Sequence, residues 1–223
     1  IVGGFGGIGG GGGGGAQNPS APNGGFGAGQ GGVSLTGAGG GGGGGMGGAI
    51  FNDGGTVTLT NSTLSGNSAV GGAGGGTAPG AGQVAGNNGG GRGGAVFTFN
   101  ATTTILASTI ASNTASQGGA VEWRNDNGDV THHIGRSIVA DSVGPEDCFA
   151  SSGSSGSATW GGIDNLIEAD PMINAVSFAC GGAVSTADPQ LEPLAVVSPG
   201  QTPVHALPPT SPAVNAVAGA CPE

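Results

Sequence analysis

The chain has 223 residues, 56 of them glycine and 13 proline, with three arginines, no lysine, thirteen carboxylates and a net charge of −10. So few cations exclude a phosphate-backbone binder, which needs several Lys or Arg to displace counterions, and leave little to attract an anionic membrane surface. The length allows one elongated domain or two small ones with a real core, and no apolar run approaches the roughly 20 residues of a membrane span.

Glycine falls in blocks: 27 in residues 1–50, 13 in 71–94 and only 13 in 95–223. In chain order, residues 1–46 form a Gly-rich N-terminal segment with a strand expected over 32–36. A second Gly, Ala and Asn block at 70–91 reads as an insertion. Such blocks are either disordered loops or polyproline-II-like segments packed side by side, since glycine permits very close backbone contact. From Ile1 to Val121 the only charged side chains are Asp53 and Arg92. That half of the chain has no electrostatic guard against self-association. The competing reading is a flexible tail kept soluble by backbone hydration.

An internal repeat organises the chain beyond residue 46. Gly47-Gly48-Ala49-Ile50-Phe51 recurs as Gly93-Gly94-Ala95-Val96-Phe97 and as Gly118-Gly119-Ala120-Val121. Asn61-Ser62-Thr63-Leu64-Ser65-Gly66-Asn67 matches Ala107-Ser108-Thr109-Ile110-Ala111-Ser112-Asn113. Gly47 to Leu64 and Gly93 to Ile110 are both 17 residues; Gly118 to Ile138 is three longer, with the surplus assigned to a turn at Arg124-Asn125-Asp126-Asn127-Gly128. Thr56-Val57-Thr58-Leu59-Thr60 alternates as a strand does, and Thr102-Thr103-Thr104-Ile105-Leu106 is its counterpart. Strand and turn alternating with a period of about 23–25 residues describe one coil of a β-solenoid, whose apolar face is buried only by stacking. Residues 47–170 are therefore expected to be β-helix coils, and 171–223 a Pro-rich C-terminal module. Ile50, Val96 and Val121 should stack in one core column, and Leu64, Ile110 and Ile138 in another.

The three cysteines Cys148, Cys180 and Cys221 lack metal-ligand spacing. They fit an oxidising compartment with one bridge and one cysteine left over. Beginning at Ile1 without a methionine or signal peptide, the chain is expected to be a mature or trimmed product.

The GGAIFN and TLTNSTLSGNSA runs resemble bacterial surface proteins with pectate-lyase-like right-handed parallel β-helices, including polymorphic outer-membrane-protein repeats. Asp188-Pro189-Gln190-Leu191-Glu192-Pro193-Leu194, Thr202-Pro203-Val204-His205-Ala206-Leu207 and Ser211-Pro212-Ala213-Val214 are similar to a choice-of-anchor Q domain. The likeness covers roughly residues 25–220 and is most specific at that C-terminal run. It implies a right-handed β-helix, export, a cell-surface or extracellular destination, and a Cys148–Cys180 bridge closing the last coils. It also leads to the expectation of a cleaved or external sorting tail and a downstream partner for Cys221. It fixes no activity.

Lyase chemistry needs carboxylates around Ca²⁺ and a basic residue. The available set is Glu122, Asp126, Asp129, Asp141 and Asp147 with Arg124 and Arg136. Asp126 and Asp129 fall in a turn-rich loop, where a plain turn outweighs catalysis and a structural Ca²⁺ is the intermediate reading. His132-His133 on a strand point to opposite faces and are not expected to share one ion; one exposed and one partly buried side chain are expected. His205 belongs to the C-terminal motif and should hydrogen-bond within it. Glu122-Trp123-Arg124 stands in the place of the earlier Phe; an exposed Trp123 at a coil rim would suit a glycan contact, but packing outweighs that reading. Asn61-Ser62-Thr63 and Asn100-Ala101-Thr102 match the glycosylation sequon, although an Asn in a coil turn explains Asn61 equally well. The Thr56, Thr58 and Thr60 face raises ice binding, on too few coils to favour it.

The sequence therefore reads as an all-β, right-handed parallel β-helix with Gly-rich extensions and a Pro-rich cap. It is expected to be structural or adhesive, extracellular or at the cell surface, and self-associating into a fibre or sheath. It is not expected to be an enzyme or to use a catalytic cofactor. Surface glycans are a further partner class, nucleic acid and membrane insertion are not expected, and the alternative is a carbohydrate-binding or carbohydrate-cleaving β-helix.

Overall fold

A computed structural model describes residues 7–13, 15–16, 22–34, 38–76, 84–169, 177–178 and 180–217. Among them the regular elements are all strands, mostly paired in parallel, and no helix is long and apolar enough to cross a membrane. Chain order gives β1 (Gly15–Ala16), β2 (Val33–Ser34), β3 (Gly45–Met46), β4 (Ile50–Asp53), β5 (Thr56–Thr60) and β6 (Thr63–Ser65). Next come β7 (Gly91–Arg92), β8 (Val96–Phe99), β9 (Thr102–Leu106), β10 (Thr109–Ala111), β11 (Val121–Gly135) and β12 (Ile138–Ala140). The rest are β13 (Cys148–Ile163), β14 (Asn165–Ile167), β15 (Ser177–Phe178), β16 (Ala183–Ser185), β17 (Ala195–Val196) and β18 (Pro203–Val204). Two compact units result: Ile1–Met46 with Ala69–Arg92, and Gly47–Ser68 with Gly93–Glu223.

In the second unit each repeat lays its strands in parallel on those of the repeat before. β4, β8, β11 and β13 form one ladder, with Ile50, Val96, Val121 and Cys148 in register. β5 and β9 pair over five residues, and the far end of β11 continues that ladder. β6, β10, β12, β14 and β16 form a separate five-stranded sheet. Inward side chains stack by residue type: Leu59 over Ile105 over Ile134, and Leu64 over Ile110 over Val139 over Ile167. Val96, Ile105, Ile110, Val121, Ile134, Val139 and Ile167 are fully buried. Alternation along each strand puts the threonines of β5 outside, as the pattern required.

The column expected to contain Ile138 contains Val139 instead. Ile138 is paired with Thr109 and faces outward, so the third repeat is four residues longer than the others, not three. The surplus is not a turn either. Residues 124–128 lie inside β11, which runs unbroken from Val121 to Gly135 because β13 lengthens alongside it, with one register shift between Asn125 and Asn127.

Corners recur at matching positions in left-handed backbone. Gly47, Gly93 and Gly118 (φ 61, 57 and 56) open successive repeats, which explains the repeated Gly-Gly. A Cβ on Gly94 would run into the carbonyl of Gly119 in the next repeat, so the second glycine is fixed by close stacking. Asn61, Ala107, Arg136 and Asp164 (φ 48, 47, 50 and 60) form another corner column. The residue after each closes it: Ser62 N–H donates to Ser108 Oγ (3.2 Å), Ser108 N–H to Ser137 Oγ (3.1 Å), and Ser137 N–H to Asn165 Oδ1 (3.0 Å).

The glycine unit is held differently. Segment 38–46 donates from Gly41 to Gly12 and from Gly44 to Gly9, and from Gly42 to Asn87 and Gly45 to Gly90. Its Gly40 and Gly43 carbonyls accept from Gly75 and Gly72, and its Gly39 and Gly42 carbonyls from Gly32 and Gly29. Residues three apart therefore address the same neighbour. Three residues per turn without internal bonds is the geometry of polyproline II. The same step joins Val84, Asn87 and Gly90 to Val33, Gln30 and Gly27. Almost any Cβ at the inward positions would strike a neighbouring carbonyl, as at Gly29 against Asn87. Within this unit the Arg92 guanidinium lies over the Phe26 ring, 4.3 Å from its centroid.

Candidate functional site

Chemistry-bearing side chains of the second unit gather in three places. The first is interior. The lengthened β11 and β13 bring Trp123, His132 and Trp160 into one stack, with His132 4.8 Å from each indole and all ring planes within 12° of parallel. Their register partners explain why they meet: Trp123 follows Asn52 and Thr98, and His132 follows Val57 and Thr103. In the repeat before, Thr98 and Thr103 share a hydrogen bond of 2.7 Å across the same space. Trp123 and His132 are fully buried. Trp123 Nε1 and both ring nitrogens of His132 have no hydrogen-bond partner among the described residues, and burial pushes the imidazole pKa down to about 4.

Trp123 is packed, as its sequence context favoured, and Glu122 occupies the column of Phe51 and Phe97. The histidine expectation is corrected in part. The two histidines do point apart, but His132 is buried and His133 is half-buried.

The second place is acidic. Asp141 sits at a left-handed corner after β12, and Glu168 Oε2 accepts its N–H at 2.9 Å. Asp188 joins them, so that the three carboxylates offer oxygens within 4.8 Å of one another. Burial pushes the Asp141 carboxyl upward, Glu168 and Asp188 add to that, and His205 opposes it. His205 Nδ1 lies 2.8 Å from the Glu192 carbonyl and donates there, and Nε2 lies within hydrogen-bond distance of Ser65 Oγ at 2.9 Å. The hard oxygens suit Ca²⁺ in ligand type, though three are fewer than its usual six to eight. Of the loop residues considered for calcium, Asp126 is paired with Arg124 at 2.5 Å and Asp129 is exposed.

Two neighbouring carboxylates, Glu146 and Asp147, are structural. In the fourth repeat they replace the Gly-Ala start. Glu146 Oε1 accepts Gly118 N–H at 2.9 Å; Asp147 accepts the N–H groups of Ala169 at 2.9 Å and Ser142 at 3.2 Å. Burial raises the pKa of both. Of the other candidate catalytic residues, Glu122 and Asp147 are buried, Arg124 holds Asp126, and Arg136 lies 3.9 Å from Asp164. The Cys148–Cys180 disulfide is present, with Cα atoms 5.8 Å apart; Cys221 lies outside the described residues.

The third place is a groove of about 500 Å³ along the outer face of the five-stranded sheet. Asn61, Arg136 and Asp164 of the corner column line it with Ile138, Leu166 and Leu207. Ile138 is outward because it belongs to this wall.

No protein-family model matches the chain, and no curated protein or solved structure matches it either. Its class therefore rests on its own architecture: an all-β protein of mostly parallel strands that also carries a unit of hydrogen-bonded glycine segments.

Proposed function

We propose that this chain is a right-handed β-helix with a structural or adhesive role outside the cell, assembling with copies of itself into a fibre or sheath. The glycine unit carries the reading. Its segments are joined at three-residue steps by backbone bonds, with Arg92 as its only charged residue. Such a body spends its sequence on rigidity and close approach, and offers few side chains for chemistry. The disulfide fits an oxidising, extracellular setting, and the likeness to exported β-helical surface proteins points the same way. The test is sedimentation and electron microscopy of the purified chain over a concentration series. Concentration-dependent assembly is expected; a monodisperse monomer at the highest concentration would reject the reading.

A second reading, glycan binding, is favoured by the groove, where an Arg, two corner side chains and an apolar wall converge. Acidic oligosaccharides are the natural probe, and Arg136→Ala should abolish any binding found by calorimetry.

A further inference from the structure

β4, β5 and β6 each pair with one strand only among the described residues, so the first repeat is an edge of the parallel stack. At that edge Ile50, Leu59 and Leu64 remain partly exposed, whereas Val96, Ile105 and Ile110, one repeat further in, are fully buried. Phe51 is 47% exposed. Exposed edges are ordinarily blunted by Lys, Pro, a bulge or charge. β5 has none of these: its five residues pair with β9 without a register shift, and no charged residue lies between Asp53 and Arg92.

The hydrogen bonds at the two ends of β5 show which of its backbone groups face outward from the stack. Gly55 C=O accepts from Thr102 N–H, and Asn61 N–H donates to Leu106 C=O, so odd-numbered residues address β9. A strand alternates its hydrogen-bonding sides, which leaves the N–H and C=O of Thr56, Thr58 and Thr60 aimed away from β9.

We propose that this edge pairs antiparallel with the same strand of a second copy, about a twofold axis at Thr58. The sequence Thr-Val-Thr-Leu-Thr is self-complementary in that register. Thr56 meets Thr60 of the second copy, Thr58 meets its own equivalent and Thr60 meets Thr56, each as a hydrogen-bonded pair. Val57 lies against Leu59 of the second copy on the core side, and Thr against Thr outside, both favourable cross-strand pairs. Registers centred on Val57 or Leu59 keep the faces but overlap fewer residues, and odd shifts set apolar against polar faces. No charge is buried. A twofold contact is isologous and closes on itself, so it supplies one junction of an assembly; growth beyond a dimer needs another surface. The inference rests on the self-association reading.

Thr58 is exposed and points outward, so a longer side chain there leaves the fold intact. Thr58→Lys and Thr58→Glu each place like charges together on the axis. Each variant alone should bind itself at least about tenfold more weakly than the parent chain in sedimentation equilibrium, with unchanged circular dichroism. An equimolar mixture of the two should recover association. If the parent chain associates and neither variant weakens it, the β5 contact is overturned while self-association stands. If the variants weaken it and the mixture does not recover, the axis at Thr58 is wrong. A parent chain that never associates removes both readings.

Discussion

The two units solve the same problem, ordering a chain, by opposite means. In the parallel-stranded unit side chains decide the outcome: apolar columns fill the interior, and Ser, Asn and Asp close the corners. In the glycine unit side chains are what must be missing, because the neighbouring carbonyl occupies the space a Cβ would need. Glycine loses more backbone entropy on ordering than any other residue. With little apolar area to bury, that unit relies on satisfying backbone donors and acceptors against its own segments. Stability should therefore respond to side-chain truncation in one unit and to side-chain addition in the other.

The largest effect belongs to the columns. Ile110→Ala, fully buried between Leu64 and Val139, should cost about 2–5 kcal/mol in denaturant unfolding. Ile138→Ala, on the outward face, should cost less than about 1 kcal/mol. Equal costs would mean that the register is shifted by one residue.

Next comes pH. The folded His132 imidazole sits at about 4 against an unfolded value of 6.5. The unfolded chain thus binds more protons between those values. Stability is complete above pH 6.5 and falls as the pH drops toward 4, by about 3 kcal/mol from this group. His132→Phe keeps a ring between Trp123 and Trp160 and should remove that loss. Buried Asp147 and Glu146, whose pKa values are raised, act with the opposite sign, losing stability as the pH rises above the ordinary carboxylate range. The difference between variant and parent isolates the histidine.

In the glycine unit, Gly41→Ala drives a methyl into the Gly29 carbonyl and should cost about 1–3 kcal/mol. Gly76→Ala meets nothing within 4 Å and should be neutral or slightly stabilising. If both are tolerated alike, the close packing of segments is wrong. The smallest change expected is a gain. Ala107 holds φ 47 where the other corners of its column use Asn or a charged residue, and Ala107→Gly should add up to about 1 kcal/mol by relieving left-handed strain.

Legibility in the sequence divides along the same line. The Gly-Gly starts and the alternating threonine strands carry side-chain or φ requirements, and the strands and corners formed where those patterns lie. The third repeat misled because its extra residues were assigned to a turn signal at 124–128, while the strand stayed paired through it. The corner serine was the better marker: aligning Ser62, Ser108 and Ser137 sets Val139, not Ile138, under Ile110. The Trp123, His132 and Trp160 stack joins positions 9 and 28 residues apart on two unusually long strands, a distance no local pattern encodes. Asp141, Glu168 and Asp188 converge from three separate segments for the same reason. Order in the glycine blocks leaves no side-chain trace at all, which is why loop and packed segment read alike.

Amide hydrogen exchange across residues 38–46, resolved by NMR, tests the backbone-held account most directly. The N–H groups of Gly41, Gly42, Gly44 and Gly45 donate to neighbouring segments, whereas those of Gly40 and Gly43 donate to none of the described residues, although their carbonyls accept. The account predicts slow exchange at the first four and fast exchange at Gly40 and Gly43, a pattern repeating every three residues. Uniformly fast exchange through the segment, or protection without that period, would contradict it.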